Sequence, residues 1–177
     1  NSDTSIIIMD DGMQNYQLSK DLTIGIFDGK NGIQNGRIIP SGPLRENLNK
    51  GLKKIDIFII NGRDKSNIKD LIPKNKPCYE GNLIPSSKKL NKLKNKQFVA
   101  FSGINDPDKF FNTLENNKIN LTEKISFPDH YEFSEVDLTQ IKTKAKIRGC
   151  SLITTEKDWV RLPQKWKKNI HYLEVFF

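Results

Sequence analysis

Ile55-Asp56-Ile57-Phe58-Ile59-Ile60-Asn61-Gly62 is an apolar run rich in β-branched residues that stops on a polar residue and a glycine. The chain carries the same pattern twice before it. Leu22 to Phe27 closes on Asp28-Gly29, and Ser5 to Met9 closes on Asp10-Asp11-Gly12. Such runs, apolar on both sides of the period-two alternation, predict strands buried on both faces. Several of them ending alike predict a parallel sheet whose carboxyl ends form one rim, and in open α/β sheets ligands bind at that rim.

The second half keeps alternating strand and helix. Phe98 to Phe101 predicts a strand ending at Ser102-Gly103, Asp106-Pro107 opens a helix with Phe110, Phe111 and Leu114 on its apolar face, and Leu121 to Phe127 is the next strand. A helix over Val136 to Arg148 follows, then strands Ser151 to Thr155 and His171 to Phe177. Between the second and third runs, Pro40-Ser41-Gly42-Pro43 is stiff, and Leu44 onward predicts a helix with Glu46 in its first turn. Pro73 to Ser87, with three prolines, reads as a connection between domains. The boundaries expected are 1–77, a linker 78–92, and a smaller α/β domain 93–177.

A chain of 177 residues with 36% hydrophobic and 28% charged residues is ordinary globular material. Lys and Arg outnumber Asp and Glu by 29 to 21, a net charge of +8 that favours polyanions: nucleotides, nucleic acid or an anionic membrane surface. Much of that excess is Lys interleaved with Asn, which reads first as solvated faces and second as a binding stripe. Aromatic residues sit in apolar runs rather than among the lysines, which argues against stacking platforms for nucleic acid. Cys78 and Cys150 stand apart with no ligand-spaced partner, so neither a disulfide framework nor a zinc site is indicated, and a reducing compartment is expected. No apolar run nears the ~18 residues that span a bilayer. Asn1-Ser2-Asp3 is neither a signal peptide nor a methionine start, so a processed or partial chain is expected.

Three constellations could carry chemistry. Asp10-Asp11 offers the one or two carboxylates through which Mg²⁺ is held beside phosphates, although Asp-Asp-Gly alone reads as readily as a turn with a helix cap. Phe127-Pro128-Asp129-His130 puts a carboxylate beside a potential base at a strand end; the alternative is a capping Asp beside a surface His. Thr155-Glu156-Lys157-Asp158 could bring a cation and carboxylates to the same rim or could simply start a helix. His171, without an acidic neighbour, reads as structural.

Taken together these stretches resemble the tetraacyldisaccharide 4′-kinase family. The resemblance lies in Asp10-Asp11-Gly12-Met13-Gln14-Asn15-Tyr16-Gln17-Leu18 with Asp21, Asn35-Gly36 with Pro40-Ser41-Gly42-Pro43-Leu44-Arg45-Glu46, Phe101-Ser102-Gly103-Ile104 with Pro107 and Phe110-Phe111, Phe127-Pro128-Asp129-His130, and Thr155-Glu156-Lys157-Asp158, in the family's order. It implies two three-layer α/β/α sandwich domains, here the C-terminal part of a P-loop kinase core followed by the smaller domain. It also implies ATP- and Mg²⁺-dependent phosphorylation of the 4′-hydroxyl of an acylated glucosamine disaccharide phosphate lipid in lipid A biosynthesis. By the same resemblance Asp10, Asp11 and Glu46 would serve the metal; Asp11, Arg45 and Glu46 would serve the nucleotide. His130 would assist deprotonation of the acceptor with Asp129 orienting it. The expected setting is the cytoplasmic face of the bacterial inner membrane, peripherally bound at its anionic surface, with no nucleic acid as partner.

Two departures stand out. Met13 and Asn15 replace the family's usual Phe and His, and no Gly-x-x-x-x-Gly-Lys-[Ser/Thr] loop occurs in the 177 residues. Such a loop cradles phosphates with its backbone N–H groups, so an N-terminal P-loop segment is expected as a necessary partner, without which this chain should be inactive. The competing expectations are a non-catalytic remnant or anion-binding module of the same fold, and a basic nucleic-acid-binding domain.

Overall fold

Two units, Asn1–Leu83 and Ile84–Phe177, make up the chain, and the structure, a computed structural model, describes residues 5–177. In the first unit, β1 (Ile24–Asp28), β2 (Ile57–Asn61) and β3 (Cys78–Gly81) form a parallel sheet in that order. The helix α1 (Leu48–Lys54) starts where the Asn47 side chain accepts from the Lys50 backbone N–H, 3.3 Å away. The register pairs Gly25 with Phe58 and Phe27 with Ile60. That face packs on Leu52 and Ile55, and Phe58 is fully buried, worth roughly 1.5–3 kcal/mol of apolar transfer.

The opposite face of this sheet is open. Ile24, Ile26 and Tyr79 are 49%, 67% and 61% exposed, although they stand in a parallel sheet, an architecture ordinarily covered on both faces.

Three expectations for this half need correction. Ser5 to Met9 is not a strand: among the described residues no strand pairs with it, and Ile6, Ile7 and Ile8 are exposed. An apolar run becomes a strand only where a neighbour supplies backbone donors and acceptors. The helix expected from Leu44 begins at Leu48, because Asn47 is the residue that caps it; Arg45 and Glu46 therefore precede the helix rather than occupying its first turn. The proline-rich stretch 73–87 is not free of elements. Cys78–Gly81 is an edge strand of the first sheet, with Pro77 just outside it accepting from the Phe58 N–H at 2.9 Å, a placement that suits a residue with no donor.

The second unit contains β4 (Ile84–Pro85), α2 (Ser87–Leu93), β5 (Gln97–Ser102), α3 (Pro107–Asn116), β6 (Asn120–Ser126), α4 (Glu135–Ile147), β7 (Ser151–Thr155), α5 (Glu156–Arg161), α6 (Gln164–Lys167), β8 (Ile170–Leu173) and β9 (Val175–Phe176). Its main sheet is parallel, in the order β6-β5-β7-β8. Alternate residues of β5 enter opposite cores. Phe98 and Ala100 meet Leu90 of α2 and Phe111 and Leu114 of α3, whereas Val99 and Phe101 meet Leu138 and Ile141 of α4 and Trp166 of α6. The result is the expected α/β class, with helices on both faces of a parallel sheet. The helix starts are written locally: Asp106 caps α3 ahead of Pro107, and Ser134 with Asp137 forms a reciprocal capping box on α4.

The terminal stretch 171–177 is two strands rather than one. Leu173 ends β8, and beyond Glu174 the chain changes partner, β9 pairing antiparallel with β4. The chain runs from β5 outward to β6 through α3 on one face, then returns through α4 on the other face to β7 on the far side of β5. A topological switch point therefore lies at the carboxyl ends of β5 and β7.

Candidate active site

In the second unit, loops at that switch point converge. Phe127, just past β6, donates its N–H to the Ser102 carbonyl at 2.8 Å, and His130 donates its N–H to the Gly103 carbonyl at 3.1 Å. Tyr131 N–H closes the turn on the Pro128 carbonyl at 3.2 Å, and His130 takes φ +59°, a left-handed conformation uncommon for a side chain of its size. Aromatic packing braces the turn: Phe127 lies 4.8 Å from Tyr131 and 5.1 Å from Phe133, and Phe101 lies 5.3 Å from Phe133, between ring centroids. The Tyr131 hydroxyl donates to Asp137 at 3.1 Å, which raises its own pKa.

On this seat the His130 ring stands 70% exposed, with its Nε2 3.7 Å from the nearer Asp129 carboxylate oxygen. The other Asp129 oxygen is 4.0 Å from Lys157 Nζ. An accessible imidazole beside a carboxylate can accept a proton from a substrate hydroxyl.

Lys157 is a neighbour that the sequence offered only as part of a motif. Its companion Asp158 is fully buried and accepts at one oxygen from Ser102 Oγ (3.2 Å), Gly103 N–H (3.0 Å) and Thr155 Oγ (2.8 Å), and at the other from Arg161 (2.7 Å). The sequence signal for it was the cap itself, Thr155 with Asp158 three residues on. His171 behaves as the structural residue expected: it meets Phe98 edge to face at 5.5 Å, and burial, aided by Lys96 and Lys89, lowers its pKa.

In the first unit, a clasped loop presents the Arg-Glu pair. Asn35 donates from its side chain to the Ser41 carbonyl at 2.8 Å and accepts from the Arg37 N–H at 3.1 Å, and Leu44 N–H returns to the Arg37 carbonyl at 3.0 Å. A side chain at Gly42 would collide with Asn35 Oδ1 and the Arg37 carbonyl, so the clasp requires glycine there. Beyond it, Arg45 reaches Asp11 at 2.6 Å. Glu46 accepts from Gln14 at 3.0 Å and from Lys54 at 2.5 Å, and Lys54 also donates to the Tyr16 hydroxyl at 2.7 Å. The Lys54 hydrogen bond is the leading reason that Glu46 is held below the usual carboxylate range.

The Asp-Asp-Gly stretch and the Arg-Glu turn are thus joined, Asp11 to Arg45 and Gln14 to Glu46. As a metal set the residues divide. Asp10 and Asp11 are adjacent exposed carboxylates, the hard oxygen donors that suit Mg²⁺ with its retained waters. Glu46 is taken by an ammonium group, and among the described residues no three His, Cys, Asp or Glu side chains gather as a metal centre.

A family model described as tetraacyldisaccharide-1-P 4′-kinase matches residues 1–177. Proteins named tetraacyldisaccharide 4′-kinase from Paramagnetospirillum magneticum and Rhodospirillum centenum are 38% and 35% identical to it, over 96% of this chain and 52% and 50% of their own lengths. One from Rhodospirillum rubrum is 37% identical over 96% of this chain and 52% of its own length. The chain spans about half the length of the curated relatives it matches. No solved structure matches it with comparable significance.

Proposed function

Because the chain belongs to the tetraacyldisaccharide-1-P 4′-kinase family, we propose that it is part of an enzyme transferring the γ-phosphoryl group of ATP to the 4′-hydroxyl of an acylated glucosamine disaccharide phosphate. The observation that carries this reading is the exposed His130, beside Asp129, at the switch point of a parallel sheet. His130 takes the proton of the sugar hydroxyl as that oxygen attacks the γ-phosphorus, and Asp129, 3.7 Å from its Nε2, orients the ring. The attacking oxygen gains the phosphoryl group, and the bond to ADP breaks. Asp10 and Asp11 would hold Mg²⁺, which would supply neutralisation of phosphate charge. Arg45, now on Asp11, is a first-unit cation beside the metal pair that could meet a phosphate oxygen.

A P-loop-bearing segment completes the nucleotide site. Two observations support it: the chain spans about half of its relatives, and the apolar sheet face at Ile24, Ile26 and Tyr79 has nothing over it among the described residues. No helix among the described residues is long and apolar enough to cross a membrane. Since an acylated acceptor resides in a bilayer, the enzyme works peripherally at the anionic cytoplasmic face of the bacterial inner membrane, aided by the net charge of +8 on these 177 residues.

The test is a phosphoryl-transfer assay on the chain joined to the P-loop-bearing part of such an enzyme. His130→Ala should lower kcat by about 10²–10⁴-fold, the usual contribution of a general base. Turnover unchanged in that variant would remove His130 from the reaction.

A further inference from the structure

Asp158 is a buried charge that the proposed chemistry does not use. It lies in α5, just past the end of β7, and while two of its four side-chain partners, Thr155 and Arg161, belong to its own helix turn, the other two, Ser102 Oγ and Gly103 N–H, stand at the carboxyl end of β5. A carboxylate is taken out of water only where donors replace the water, and here donors occupy both oxygens. What the arrangement fixes is Gly103. Its N–H is tied to Asp158 at 3.0 Å, and its carbonyl receives the His130 N–H at 3.1 Å. A side chain on Gly103 would stand 3.1 Å from Tyr131 Cβ and 3.3 Å from the Pro128 carbonyl, so the turn is pressed directly onto this glycine. The backbone of His130, at φ +59°, persists only if its surroundings hold it, and its N–H has two acceptors, the Gly103 carbonyl at 3.1 Å and Asp129 Oδ1 at 3.0 Å, of which Gly103 ties the turn to β5.

We propose that Asp158 is a positioning residue of the transfer site: by holding Gly103 at the end of β5, it fixes the turn that carries Asp129 and His130. Its catalytic consequence rests on the reading of His130 as base; its structural consequence does not. The Phe-Ser-Gly, Phe-Pro-Asp-His and Thr-Glu-Lys-Asp stretches are then one device. Asp158 supplies the buttress, Gly103 the seat and His130 the reacting group, while Lys157 from the same helix turn faces Asp129.

The chain has two histidines, His130 and His171, so its imidazole NMR signals can be assigned with one His171→Gln control. Asp158→Asn keeps the shape but breaks the charge pairing with Arg161 and weakens acceptance from Gly103. It should shift and broaden the His130 signals while those of His171 stay in place. In the joined enzyme kcat should fall about 10- to 100-fold with KM for both substrates within about twofold, the cost of misplacing a catalytic group. Should Asp158 variants fail to fold, amide hydrogen exchange on the unaltered chain decides: the amides of Gly103 and His130 should be protected together. Unshifted His130 signals in Asp158→Asn, or an unprotected His130 amide in the unaltered chain, would overturn the proposal. If the signals shift but His130→Ala retains full turnover, the positioning stands and the assignment of the base fails.

Discussion

Replacing Gly103 by alanine adds one methyl group at the most crowded point of the second unit's rim. The new Cβ would lie 3.1 Å from Tyr131 Cβ, 3.3 Å from the Pro128 carbonyl oxygen and 3.4 Å from Phe133 Cζ. Carbon atoms rest at about 3.5–4.0 Å, so the turn must retreat by a few tenths of an ångström, and the rings of Phe127, Tyr131 and Phe133 leave it little room. Overpacking of this kind costs about 1–3 kcal/mol. A domain with the usual ~5–15 kcal/mol of stability stays folded. The His130 N–H to Gly103 carbonyl bond, 3.1 Å to begin with, would lengthen past the ~3.2 Å limit of good geometry, and the imidazole would move with the turn. A 1 Å misplacement of a catalytic group costs ~100-fold, so a retreat of a few tenths should lower kcat by up to about 10-fold while the chain melts a few degrees lower. Urea denaturation of the chain gives the stability arm, and phosphoryl transfer by the joined enzyme gives the other. A melting point equal to that of the unaltered chain would show that the seat is slack, and the packing argument would be wrong.

Gly42→Ala acts in the same way in the first unit: by unclasping Asn35 from Arg37 and Ser41 it should cost about 1–3 kcal/mol and speed amide exchange at Leu44, with slow exchange at Leu44 counting against the clasp. Glu46 gives a signed pH dependence. Its folded pKa is lowered, first by the Lys54 hydrogen bond, so its contribution is complete above the unfolded carboxyl value near ~4.3 and is lost as pH falls through the lower folded value. Glu46→Gln should therefore lower the urea midpoint at pH 7, and the gap should shrink on acidification; a gap that widens toward pH 3 would reverse the sign and refute the pairing.

Local grammar was legible where the deciding contacts are near in sequence. Asp106-Pro107 announces α3 because a cap is written within three residues of the helix it serves. The core faces of β5 were legible for the same reason: an apolar run with no polar alternation is what a strand between two helical layers needs. Ser5–Met9 was misread because composition reports a wish for burial, whereas a strand also requires a partner's backbone. The helix at Leu44 was misread because Pro43 is a good first-turn residue but Asn47 is the better cap. Asp158 was invisible in its role, since its decisive partners Ser102 and Gly103 lie 56 and 55 residues away. The Thr-x-x-Asp spacing announced only the half of its bonding that stays within the helix turn.

The acids proposed for the chemistry and the acid proposed to hold the frame are treated differently by the fold. Asp11 and Asp129 are each paired with a cation on an exposed, flexible stem, Arg45 at 2.6 Å and Lys157 at 4.0 Å, with all four side chains more than a third exposed. Surface pairs of that sort add little stability, so they open readily when a ligand brings its own charge, and the released arginine or lysine is then free to meet a phosphate. Asp158 has the opposite character. It is sealed from water, shares its oxygens among four donors, and would be left with unsatisfied partners by any movement. Exchangeable pairs at Asp11 and at Asp129, each within its own unit, and a fixed charge at Asp158 suit the roles proposed for them. The distinction is measurable: added phosphate should perturb the side-chain signals of Arg45 and Lys157 while leaving that of Arg161 unmoved, and an equal response at Arg161 would erase the division.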